Sequence, residues 1–196
     1  RTDVLDIASP ESQHAVDSDE TVEPDQPSPS EVGFPDPRQA DTSEISQGLL
    51  RIIEQFGPLP EDTAYRRYRD RSSSVNKITA PVRKKLNIAI GALKRSEEII
   101  AFDEYGNDKR EEMILRTPHC PEVKVRPAGE REFFHDIPPS EIAQVMINLA
   151  KERGAIGRLS EEHLIYPTLN YYGFEQLTKK RKSIFKAAYR IYCQKI

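Results

Sequence analysis

Cysteine is scarce in this chain of 196 residues, and the two present, Cys120 and Cys193, cannot form the paired framework that staples small secreted domains. A reducing, cytoplasmic setting is expected. Long apolar runs are missing: none approaches the ~20 residues that cross a bilayer as a helix, so no membrane partner is expected. No signal-peptide pattern opens the sequence, and its first residue is Arg rather than Met. A piece of a longer protein, or a processed chain, is the expectation. Short catalytic signatures are absent as well. There is no Gly-x-x-x-x-Gly-Lys-Ser/Thr loop to cradle phosphates, no Gly-x-Ser-x-Gly elbow and no His-Glu-x-x-His helix. His14, His119, His135 and His163, with the two cysteines, lack the paired spacing of a zinc site. Neither a metal, a cofactor nor a small-molecule ligand is expected.

Basic residues are nearly missing from one part of the chain only. Residues 1–45 hold twelve Asp/Glu against Arg1 and Arg38, a net charge of −10. Residues 46–196 hold 27 bases against 20 acids, net +7, so the whole-chain value of −3 hides two opposite parts. An acidic tail beside a basic body points to a nucleic-acid partner. Pro24, Pro27, Pro29, Pro35 and Pro37 forbid a regular helix in the acidic stretch, which has too little apolar surface to offset its ordering entropy. Residues 1–42 therefore read as a disordered Pro/Ser-rich linker, a solvated tether rather than a DNA mimic competing for the basic faces.

The remainder repeats itself. At an offset of 97, Ile45, Leu49, Leu50, Ile53 and Gly57 fall on Ile142, Met146, Ile147, Ala150 and Gly154. At an offset of 98, Tyr68, Arg83, Lys84, Leu86, Ala89 and Leu93 fall on Tyr166, Arg181, Lys182, Ile184, Ala187 and Ile191. A period of this length is a domain, not a solenoid rung. The first copy, residues 43–117, reads as three helices. One runs from a Ser43 or Ser46 cap to Phe56, one opens at Pro60, and one starts behind a Thr79 cap with Pro81 in its first turn. Strands over Ile99–Phe102 and Met113–Arg116 follow, joined by a turn-rich loop through Gly106 and Asn107. Residues 118–136 read as a linker in which Val123 and Val125 form a short edge strand. The second copy, residues 137–196, starts at a Ser140 cap, turns at Gly154 and Gly173, and ends in a helix over about 175–193. The expected fold is mainly α with a small β-hairpin wing: tandem winged helix-turn-helix-like units behind an acidic linker.

Each unit's last helix pairs an apolar stripe with a cationic face. A helix in the major groove offers outward residues to base edges and flanks to phosphates. In the first unit that face carries Arg83, Lys84, Asn87 and Lys94; Arg suits guanine and Asn suits adenine. Lys109 and Arg110 fall where a wing tip would meet the backbone. In the second unit Lys179, Lys180, Arg181, Lys182 and Lys186 crowd the helix start, a lysine-rich set suited to phosphate contact. The competing expectations are a solvated face and a protein-docking module for upstream domains or a partner subunit. A third class, a magnesium-dependent nuclease, would use Glu122-Val123-Lys124 with Asp103 or Asp108. The aromatic residues of the second unit, Tyr166, Tyr171, Tyr172, Phe174, Phe185, Tyr189 and Tyr192, read mostly as core.

Ile137-Pro138-Pro139-Ser140-Glu141-Ile142, with Gly173-Phe174, Thr178 and Arg181, resembles the small C-terminal domain of unknown function in large bacterial DNA-helicase-related proteins. Residues 137–193 carry the likeness, and the first unit resembles the winged region that often precedes that domain. Tyr171-Tyr172-Gly173-Phe174-Glu175-Gln176-Leu177-Thr178 replaces the family's usual turn and lacks its second glycine. The resemblance implies a parent with a superfamily 1 helicase motor and often an endonuclease-like domain, none of which lies in these residues. This chain would then be a non-catalytic, nucleoid-associated part that binds or positions duplex or branched DNA.

Overall fold

The computed structural model describes residues 33–72, 74–127 and 133–196. The acidic stretch 1–32 lies outside the described residues. Two helix trios follow each other: α1 (Thr42–Phe56), α2 (Glu61–Arg71) and α3 (Ala80–Arg95), then α4 (Pro139–Glu152), α5 (Glu161–Tyr171) and α6 (Lys179–Lys195). Among the described residues, only the first trio is interleaved with strands: β1 (Leu59–Pro60), β2 (Ile100–Phe102) and β3 (Ile114–Arg116). These form an antiparallel sheet in the order β1-β3-β2, with Leu59 opposite Leu115 and Ala101 on its other side. The fold is thus mainly helical with one small three-stranded sheet.

Local chemistry explains the boundaries. Asp41 caps α1, accepting from the Glu44 N–H while the Glu44 carboxylate accepts from the Asp41 N–H, a reciprocal capping box. The cap is thus Asp41 rather than Ser43 or Ser46, because Asp41 has the acidic partner three residues later. Ile45, Leu49, Ile52 and Ile53 are buried on one side of α1. Gly48 sits among them because α2 approaches closely: a Cβ there would lie 2.7 Å from the Tyr68 ring. β1 was not expected, because two residues carry no periodicity; it exists by pairing with β3. Val123 and Val125 form no strand.

α4 begins behind Pro138, not at a Ser140 cap. The Ser140 N–H instead donates to the Glu104 carboxylate at 2.7 Å. Burial pushes the Glu104 carboxyl above its usual range, and the Ser140 bond opposes that shift. Gly154 and Gly173 adopt left-handed φ values of 62° and 74°, and the next residues' N–H groups, Ala155 and Phe174, reach back to Ala150 and Leu169. Both helices therefore end in the glycine motif expected of them. α6 starts about four residues later than its periodicity suggested, because the Thr178 hydroxyl caps it by accepting from the Arg181 N–H.

Each trio has its own apolar core. The first gathers α1, α2, α3 and the sheet around Leu49, Tyr68, Leu86 and Leu115. Phe34 and Ala40, from the stretch read as linker, join it, and Phe34 lies 5.1 Å from the Tyr68 ring. The second gathers α4, α5 and α6 around Phe134, Met146, Leu169 and Phe185. Residues Gly33–Ile196 nevertheless form one compact unit, because buried polar contacts join the trios. Arg126 donates to the Phe56 and Pro58 carbonyls (2.7 and 3.0 Å) and pairs with the buried Glu141 of α4 at 3.3 Å. The buried Asp136 carboxylate accepts from the Thr63 hydroxyl at 2.9 Å and pairs with Arg66, both on α2.

Candidate nucleic-acid interface

The two cationic helices fare differently. Arg83 reaches the Asp62 carboxylate at 3.0 Å and keeps 41% of its side chain exposed. Asn87 does not face water freely: its side-chain oxygen lies 2.8 Å from the Tyr65 hydroxyl. That hydroxyl donates to Glu61 at 2.5 Å, and burial beside the Glu61 charge pushes the phenol far above its usual value. Arg110 returns from the β2–β3 loop to pair with the buried Glu61 at 2.8 Å and to donate to the Asn87 carbonyl. Lys109 lies 3.5 Å from Glu112. Lys84 and Lys94 stay exposed. Most of the first set is thus neutralised by α2 and by the loop itself, through Glu61, Asp62 and Glu112. These acids carried no signal in the sequence, since nothing there shows that α2 turns its first turn toward α3.

The second set is freer. Lys179, Lys180, Lys182 and Lys186 are all exposed, and no ion pair among the described residues holds them. Lys179, Lys182 and Lys186 recur at three and four residues and share one stripe. Arg181 turns the other way. Its guanidinium lies over the Phe174 ring at 4.5 Å and donates to the Gln176 carbonyl at 2.5 Å. It is half-buried and packed against its own unit rather than free. No acid lies in the first turn of α6. Four consecutive cations therefore stand at the positive end of the helix dipole, where each is disfavoured by about 0.3–1 kcal/mol when exposed. A bound polyanion would reverse that sign.

The trios meet at a cleft of about 440 Å³ where Arg83 and Lys180, one from each cationic helix, line the same space with Arg66 and His135. Arg66, which was not singled out by sequence, is 20% exposed and is held by Asp62 and Asp136. The cleft is mixed in sign: Asp62, Glu111 and Glu112 line it too. His135 reports the balance. Burial, then the charges of Lys180 and Arg66, hold its imidazole below the ordinary value despite Asp136.

The residues of the nuclease alternative do not converge. Asp103 binds its own loop, accepting from the N–H groups of Tyr105, Gly106, Asn107 and Asp108 at 2.7–2.8 Å. The Asp108 N–H contributes most to holding that carboxyl below its usual range. Glu122 is 82% exposed and pairs with Arg116 at 3.4 Å. Among the described residues, no group of three or more His, Cys, Asp or Glu is arranged to hold a metal ion. No described helix is long and apolar enough to cross a membrane. Among the aromatic residues, Tyr172, Phe185 and Tyr192 are buried as expected, whereas Tyr166 is 60% exposed. Pro167 follows it, and Leu164, Ile165 and Leu169 fill the buried side of α5 instead.

Neither protein-family models, curated proteins nor solved structures gave a match to this chain.

Proposed function

We propose that this chain is a non-catalytic DNA-binding region of a larger protein, and that it grips the phosphate backbone through the start of α6. One observation carries this: Lys179, Lys180, Lys182 and Lys186 stand exposed and without ion-pair partners at the dipole-positive end of a helix that has no acid in its first turn. A solvated surface helix gains from acids at that end and loses from bases. The element order supports the same conclusion. Helix, strand, two helices and two strands, with sheet order β1-β3-β2, fit a winged helix-turn-helix, and α4–α6 repeat the trio without strands. In such a pair α6 is the counterpart of the groove-facing helix α3. The parent, on the likeness of residues 137–193, would be a bacterial DNA-helicase-related protein.

α3 contributes less than α6 on this account. Lys84 and Lys94 add phosphate contacts, while Arg83, Asn87 and Arg110 first need to leave Asp62, Tyr65 and Glu61 before they read bases. The test is a titration of dye-labelled duplex and branched DNA with the 196-residue chain, read by anisotropy. Phosphate contact makes affinity fall steeply between about 50 and about 200 mM salt. Binding that ignores salt, or that never forms at low salt, defeats the proposal. A salt-indifferent complex with a protein partner would favour docking instead.

A further inference from the structure

A small cleft of about 160 Å³ beside the start of α6 has four rings in its lining, Phe133, Phe134, Phe174 and His135, beside Lys180, Arg181 and two further residues of that region. It adjoins the larger cleft already described, since His135 and Lys180 line both. Phe133 is the unusual member. Phe134 is fully committed to the second core, stacked on Phe185 at 5.1 Å. Phe133 is 48% exposed, one of the few large apolar side chains left in water. The His135 ring stacks on it at 5.3 Å and 27°, and the Arg66 guanidinium, itself paired with Asp62 and Asp136, lies over it 5.7 Å from the centroid.

A half-exposed aromatic ring, with the exposed Lys180 lining the same cleft, has the chemistry of a base-stacking platform. Every nucleobase presents a π-face, and its phosphates need positive charge within one nucleotide's reach. A continuous duplex does not supply such a face, because its bases are already stacked on one another. The His135 ring suits the role: it extends the stack of rings, and burial, then Lys180 and Arg66, favour its neutral form, which adds no charge.

We infer that this cleft takes an unpaired nucleobase of single-stranded or branched DNA, stacked on Phe133, with the adjoining phosphate held by the exposed Lys180. The inference rests on the proposed DNA binding and specifies the form of DNA that the α6 region favours. The duplex tract would lie along Lys179, Lys182 and Lys186, and the displaced base would enter beside Lys180.

The chain has no tryptophan, so Phe133→Trp creates a single reporter at the platform. The 196-residue variant is titrated with a dye-labelled single-stranded oligonucleotide and, separately, with a blunt duplex of the same length. Dye anisotropy and tryptophan emission are read together. The single strand is expected to quench the emission and the duplex to leave it unchanged. Phe133→Leu keeps the apolar bulk without the ring; it is expected to weaken single-strand binding about 5- to about 150-fold and to leave duplex binding unchanged. Thermal melts that match the parent chain establish that both variants fold. Binding without any emission change, or an equal effect of Phe133→Leu on both DNAs, overturns the platform while leaving DNA binding intact. No anisotropy change with either DNA at low salt removes both. Quenching by an apolar peptide but not by a single strand would assign Phe133 to protein docking.

Discussion

Arg126 holds the two trios together, and its removal is the sharpest test of how the fold is built. Its side chain is only 7% exposed, and that of its partner Glu141 only 1%. Arg126→Ala leaves the Phe56 and Pro58 carbonyls without their donor and takes the guanidinium from a buried carboxylate. Breaking a buried pair from one side typically costs about 3–5 kcal/mol. The lower end applies here, because Glu141 keeps the backbone N–H of residue 126, at 3.1 Å in the parent chain. A loss of about 3 kcal/mol, at about 2–4 °C per kcal/mol for a domain of this size, lowers Tm by about 6–12 °C. The assay is calorimetry of Arg126→Ala, Glu141→Gln and the double variant. The two single losses should not add, since both remove the same pair. The parent chain is expected to melt in one transition and Arg126→Ala to broaden or divide it. A fall in Tm below about 2 °C, with additive single effects, would show that the buried link does not carry the junction.

Three further outcomes are expected. Gly48→Ala should destabilise the chain by about 1–3 kcal/mol, since the new methyl overpacks against the Tyr68 ring at 2.7 Å; chemical denaturation reads it. Glu97 sits at φ 58° just past α3, where the Glu98 N–H reaches the Leu93 carbonyl, so Glu97→Gly should stabilise by about 0.5–1 kcal/mol in the same assay. His135 should titrate below its ordinary 6.5 by NMR, because burial, Lys180 and Arg66 disfavour its cation. The unfolded chain binds that proton first, so the contribution of His135 to stability is full above pH 6.5 and falls as the pH drops below it. Saturating DNA should move the midpoint upward as phosphate offsets Lys180, and an unmoved midpoint would place the backbone away from the cleft.

The order of the six helices and of β2 and β3 was visible in the sequence because it rests on local signals. Two trios of nearly equal helices are present, with lengths of 15, 11 and 16 residues against 14, 11 and 17, but Tyr68 is buried where Tyr166, its match at an offset of 98, is 60% exposed. Apolar periodicity located α3 and its core residues Val82, Leu86, Ala89, Ile90 and Leu93, all of them buried. What the sequence hid depends on distant partners. β1 exists only through β3, and Ser140 is spent on Glu104 rather than on a cap. The candidate site divides the same way. A run such as Lys179–Lys182 announces exposed charge by itself. Whether Arg83 and Arg110 are free depends on Asp62 and Glu61, which lie roughly twenty and fifty residues earlier in the chain.

Counting the phosphate contacts of α6 is the most direct test of its role. The dependence of log K on log salt is measured for duplex DNA with the parent chain and with Lys179→Gln/Lys182→Gln/Lys186→Gln. Three lost contacts, at about 0.9 each, should flatten the slope by about 2.7. An unchanged slope, with unchanged affinity, would mean that the exposed cations of α6 touch no phosphate.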